Sequence, residues 1–219
     1  METQTEINEI KIVSKYIDTL LETGKEPASI YTFAKTLNID ERTFYKYFSS
    51  FEHLEKNIFT LFFDNAVTLL EKNKDFNDYD AKNKLLSFYF TYLEILTENR
   101  SYVLLALNNN KNSLKNLKKL EDLKKRFSHF VNQLHIDKID FKQEKIEKFQ
   151  DRGIQEGFWI QFLMIIKFWM EDTSSSFEKT DIFIEKSIHA SFDVINTKPV
   201  KSILDLGKFI LKEKTDFKF

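Results

Sequence analysis

The residue types that carry most enzymatic chemistry are sparse or badly spaced in this chain. It contains no cysteine, which excludes disulfides and thiol nucleophiles. Its four histidines, His53, His129, His135 and His189, lack the spacing of metal ligands and are read as structural. With only 4 Gly there is no phosphate-cradling loop and no nucleophile elbow. The acidic pair Glu171 and Asp172 falls at a helix end, where capping accounts for it. Neither catalysis, a metal nor a cofactor is therefore expected. A different chemistry is offered by residues 29–54, SIYTFAKTLNIDERTFYKYFSSFEHL. Small polar side chains and free amides at helix starts grip phosphate oxygens, and a short helix with projecting donors can reach base edges.

Such side chains need rigid elements to aim them, and the composition favours helices. There are 4 Gly and 2 Pro in 219 residues, too little punctuation for the tight turns of an all-β protein. Ile7, Ile10, Val13, Ile17, Leu20 and Leu21 recur at helical spacing, and Gly24 follows as a stop before Pro27. Ser29 caps a short second helix with Ile30, Phe33, Ala34 and Leu37 on its inner face, and Asn38 takes a turn position with a left-handed backbone. Asp40 caps a third helix over residues 41–48, and Ser49 and Ser50 open a long fourth over residues 51–72. After a polar break at residues 73–80, further helices are expected around Leu85–Leu96, from Tyr102 to the asparagines at 108–110, and from Ser113 to Leu134. The lysines of that last helix, among them Lys115, Lys118, Lys119, Lys124 and Lys125, are read as a solvated face balanced by Glu121 and Asp122. Helices over residues 150–171 and 177–196 follow, Pro199 ends the second, and a short helix over residues 202–212 closes the series.

The segment 29–54 resembles the helix-turn-helix signature of the TetR family of bacterial repressors. The resemblance rests on Ala34 at the helix crossing, Asn38 and Ile39 at the turn, and Thr43, Tyr45 and Phe48 in the order Thr-x-Tyr-x-x-Phe. It implies an all-α, TetR-like fold, with a DNA-binding domain over residues 1–50 and a ligand-binding and dimerisation domain over 51–219. By the same resemblance Ser29, Thr43, Tyr45 and Lys46 contact phosphates or bases, and Arg42 and Tyr47 reach the major groove. Three features depart from the family pattern. Phe51 stands where the family usually has a phosphate-binding lysine, Asp40 and Glu41 put negative charge on the recognition helix, and residues 1–60 carry seven Lys or Arg against ten Asp or Glu. Modest DNA affinity is the expectation.

The stretch 168–184, FWMEDTSSSFEKTDIFI, resembles the C-terminal segment of ubiquinone-biosynthesis accessory proteins that share the TetR fold and bind lipid, through Asp172, Ser174, Phe177 and Thr180. Capping alone would also select Asp, Ser and Thr there. Phe158, Trp159, Phe162, Met164, Phe168 and Trp169 surround much of one helix, so burial on several sides is expected, against its own domain, a second copy or a ligand. The dimer is placed on the helices within residues 150–196. Gly153 and Gly157 mark a bent helix start or a close helix approach. A ligand cavity is expected from Phe88, Tyr92, Tyr102, Phe130, Phe158 and Phe162, with tyrosine hydroxyls as orienting groups.

The expected protein is a cytoplasmic, ligand-responsive repressor that binds a palindromic operator as a homodimer. The other reading is a lipid- or quinone-binding protein of the same fold that has lost DNA recognition. The apolar run 157–170 is interrupted by Gln161 and Lys167 and is too short to span a bilayer, and the N-terminus lacks the basic and apolar parts of a signal peptide.

Overall fold

A computed structural model describes residues 7–107, 118–137 and 144–195. Those residues form nine α-helices and no strand. They are α1 (Glu9–Thr23), α2 (Ile30–Thr36), α3 (Glu41–Tyr45), α4 (Phe51–Glu71), α5 (Ala81–Glu98), α6 (Arg100–Leu107), α7 (Glu121–Gln133), α8 (Glu144–Glu171) and α9 (Glu178–Ile195). Short 3-10 turns at Lys74–Asp78 and Ser175–Phe177 precede α5 and α9. The all-α expectation holds. The expected helix end at 108–110, the helix start at Ser113, Lys115, Pro199 and the closing helix at 202–212 lie outside the described residues.

The chain divides into two compact units, and neither is a continuous stretch: residues 1–65 with 94–124 form one, and 66–93 with 125–219 the other. In the first, α1 ends where Gly24 adopts φ 66° and its amide caps the Leu20 carbonyl, a conformation that glycine takes without steric cost. The buried face of α1 is Ile12, Val13, Tyr16 and Leu20, whereas Ile10 and Leu21, which share its apolar spacing, are exposed. Around Tyr16 the rings of Phe33, Phe44 and Phe51 close a cluster with centroids 5.4–6.1 Å apart. Edge-to-face contacts of this kind add to the burial of each ring. This cluster fixes α1, α2, α3 and the start of α4 to one another.

In the second unit the core is again aromatic. Phe162 lies nearly parallel to Phe127 at 4.6 Å and to Tyr89 at 5.6 Å, both at 10°, and those two rings are 6.2 Å from each other. The buried Gln161 is satisfied from both sides, accepting from the Tyr89 hydroxyl at 3.4 Å and donating to Ser191 Oγ at 3.0 Å. Helix α8 begins six residues before the expected 150. Its first turns carry an exposed pair, Lys148 and Glu144, four apart and 2.6 Å from each other, a charged start without apolar periodicity.

Between α8 and α9 the backbone turns sharply, with Ser176 at φ 50° and Phe177 at φ 60° in the left-handed region that non-glycine residues avoid. Asp172 holds this turn. Its Oδ1 accepts from Ser174 N and Oγ at 2.8 and 2.7 Å, and its Oδ2 accepts from Thr180 N and Oγ1 at 2.9 and 2.7 Å, capping α9 from a distance. Burial works against ionisation of Asp172, but the hydrogen bonds from Thr180 and Ser174 outweigh it and hold the carboxyl well below the usual carboxylate range. A carboxyl lowered on folding stabilises the native state above its unfolded value, about pH 4, and that contribution is lost as pH falls through the folded value. The stability difference between wild type and Asp172→Asn, measured by urea unfolding, is therefore expected to be constant above about pH 4 and to shrink below it. A difference that grows with acid would contradict this assignment.

Candidate nucleic-acid interface

Helices α2 and α3 form a helix-turn-helix. Ala34, fully buried, lets them cross closely, and its carbonyl accepts from the Ile39 amide at 3.1 Å. Asn38 makes the turn at φ 55°, as its place in the sequence predicts. Phe44 anchors α3 in the aromatic cluster, which leaves Arg42, Tyr45 and Lys46 projecting to solvent, Tyr45 with 52% of its surface exposed.

The other expected contact residues have bonds within the protein. Ser29 and Thr32 form a reciprocal capping box at the start of α2, with distances of 3.1 and 3.2 Å, and Ser29 stays exposed. Thr43 donates both its amide and its hydroxyl to Asp40 Oδ1 at 2.7 Å. Those bonds keep the Asp40 carboxyl below its ordinary range, so the acid serves as the α3 cap. Tyr47 turns the other way, its hydroxyl donating to the Ile7 carbonyl at 3.0 Å. The structure thus brings Arg42, Tyr45 and Lys46 onto one exposed surface and gives Ser29, Thr43 and Tyr47 structural bonds.

Two neighbours of that surface escaped the sequence reading. Tyr31 and Lys35 are exposed on α2, with Lys35 Nζ 4.3 Å from the Tyr31 ring centroid, and they share a shallow concavity with Arg42. Their spacing of four on an otherwise polar helix face was the available signal.

Phe51 is 7% exposed and lies in the middle of the ring cluster, so the position of the family's lysine is used here for packing. Cations come from elsewhere in the same unit. Lys119 pairs with Glu55 of α4 at 3.0 Å, and Lys56 lies 3.3 Å from Glu52. Lys118 and Lys119 line a cleft with Ser29, Ser50 and Glu26. A charge balance over residues 1–60 omits these lysines. The reading of Lys119 as part of a solvated face balanced by Glu121 and Asp122 is corrected: it is half-buried and pairs with Glu55, whose other oxygen accepts from Tyr16 at 3.1 Å.

Of the six aromatic residues expected to line a cavity, Phe88, Tyr92, Phe130 and Phe162 pack on one another, with Phe88 4.8 Å from Phe130 and Tyr92 5.2 Å from Phe162. Phe158 faces Phe192 at 5.6 Å, on the α9 side of the second unit. Tyr102 belongs to the first unit, where it meets Phe59 at 6.1 Å and its buried hydroxyl makes no hydrogen bond among the described residues. No three His, Asp or Glu side chains among the described residues are grouped to hold a metal, and no described helix is long and apolar enough to cross a membrane.

The architecture is that of an all-α protein with an N-terminal helix-turn-helix. Residues 84–210, more than half of the chain, match the family model described as "Tetracyclin repressor-like, C-terminal domain". The protein belongs to this TetR family. A solved structure, that of the TetR transcriptional regulator from Nitrosomonas europaea ATCC 19718, has the same fold, with a TM-score of 0.57 and 17% identity over 85% of this chain and 98% of that one. No curated protein matches the chain.

Proposed function

We propose that this TetR-family protein is a ligand-responsive transcriptional repressor that binds a palindromic operator as a homodimer in the cytoplasm, without catalytic activity. The observation that carries the reading is the exposed row of Arg42, Tyr45 and Lys46 on a short helix pinned from behind by Phe44. Guanidinium and ammonium groups on such a helix suit guanine edges and phosphates. The functional division is residues 1–50 for DNA and 51–219 for ligand and partner. Helix α4 opens the second part directly after the helix-turn-helix, so a ligand that tilts it changes the spacing of two recognition helices. Both bind only at half-sites about 34 Å apart or a multiple of that. Ligand and operator then couple reciprocally. The ligand is a small apolar or amphipathic molecule taken up beside Tyr102 of the first unit. The unbonded Tyr102 hydroxyl supports this, since a buried hydroxyl without a partner favours a molecule that supplies one.

Selection of bound duplexes from a random pool at low salt tests the proposal. A two-fold symmetric site is expected, with affinity that falls steeply with salt as phosphate contacts release counterions. Arg42→Ala is expected to cost about 1–3 kcal/mol and to relax base preference at one position per half-site. Lys46→Ala should weaken all sequences alike. The burial of Phe51 at the family's lysine position favours a second reading, a lipid- or quinone-binding protein without an operator. Absence of any enriched site, together with a thermal shift by fatty acids or quinones, would decide for it.

A further inference from the structure

Helix α7 ends at Gln133, and two residues later His135 takes φ 50°, in the left-handed region. Glycine ends a helix there at the least steric cost, so histidine is not what the turn alone selects. Its exposed imidazole lines a cleft of about 480 Å³ between the end of α7 and the early turns of α8, within the second unit. Lys148 and Arg152 of α8 line the same cleft, one helical turn apart and so on one face of that helix. Three nitrogen donors from either side of the cleft thus border one space.

Arg152 has no hydrogen bond or ion pair among the described residues. Lys148 gives one of its three N–H groups to the exposed Glu144 at 2.6 Å and keeps two. Asp151, the one carboxylate of the lining, is not free. Val131, Ile136 and Ile154 give the cleft an apolar part. Its two walls are tied together where Gln155 Nε2 donates to Asn132 Oδ1 at 2.6 Å. The volume is that of a small-molecule site, and so is the makeup, apolar surface with a few convergent polar groups.

We propose that this cleft binds a small amphipathic oxyanion, with its carboxylate or phosphate on Arg152, Lys148 and His135 and its hydrocarbon part on Val131, Ile136 and Ile154. A guanidinium fork takes two oxygens of either anion at once, and the ammonium one turn away meets the remaining charge. The site is separate from the Tyr102 hydroxyl, which belongs to the other unit, and it rests neither on operator binding nor on pairing of two copies.

The test is calorimetric titration of the full-length protein with octanoate, octyl phosphate, inorganic phosphate and octanol. Octanoate or octyl phosphate is expected to bind, and the tighter of the two identifies the anion. Octanol and inorganic phosphate each lack one half of the chemistry and are expected to bind roughly tenfold more weakly or worse. Arg152→Ala is expected to weaken the tighter probe by roughly tenfold or more, and Arg152→Lys to restore only part of that, because an ammonium lacks the fork. Both variants are expected to unfold at the wild-type temperature without ligand, since Arg152 is exposed. Failure of both anionic probes to bind overturns the proposal. Binding that Arg152→Ala leaves unchanged also overturns it, because the probe then sits at another apolar site. Octanol bound as tightly as octanoate removes the anion from the proposal and sinks it, and inorganic phosphate bound as tightly as octyl phosphate sinks it by removing the apolar part. If Arg152→Ala is destabilised and still binds, Arg152 serves the carbonyls at the end of α7 instead.

Discussion

Phe51→Lys is expected to destabilise the protein by about 3–5 kcal/mol, the range for removing a buried aromatic ring, and to weaken DNA binding although it adds a positive charge. Tyr16, Phe33 and Phe44 each place a ring centroid within 5.4–5.7 Å or 6.0–6.1 Å of another member of the Phe51 cluster, so a lysine there removes shared contacts and brings an ammonium among them. A phosphate contact at the edge of an interface returns less than this loss. Urea unfolding followed by tyrosine fluorescence, with an operator titration on the folded fraction, checks both halves. A variant as stable as wild type that binds DNA more tightly would mean that Phe51 only occupies a place the chain could give back to phosphate binding.

Phe162→Ala is expected to cost a similar amount, about 3–5 kcal/mol, because its ring is fully buried and packs against both Phe127 and Tyr89. The size of the loss also bears on where a ligand fits. If Phe162 borders space that a ligand fills, its removal costs well under 2 kcal/mol, since no close-packed neighbours are lost on that side. Equilibrium unfolding with and without the ligand distinguishes the two, and the large value would speak against a binding space at Phe162.

The helix-turn-helix was legible because its determinants are local. Ser29, Asn38 and Asp40 bond to residues within five positions of themselves, so short spacing carries the information. Gly24 ended α1 for the same reason. What sequence spacing hid depends on distant partners. Phe51 looks like a lost cation until the rings of Tyr16 and Phe33 surround it, and Lys119 looks solvated until Glu55, sixty-four positions earlier, is found beside it. Ile10 and Leu21 have the right period but lie at the edge of the stripe, where periodicity alone does not separate buried from exposed. The motif Asp172, Ser174 and Thr180 was seen, and its bonds give it a capping role that does not require lipid.

The first compact unit takes its residues from 1–65 and again from 94–124, and α1 packs on α6. On a ribosome, which extends a chain at about 5–20 residues per second, the helix-turn-helix therefore emerges several seconds before the segment that completes its support. In that interval the face of α1 that α6 later covers is open to chaperones, to proteases and to other nascent chains. Codon-level changes in the pace of synthesis between residues 65 and 124 would accordingly alter the yield of active protein without altering a single side chain.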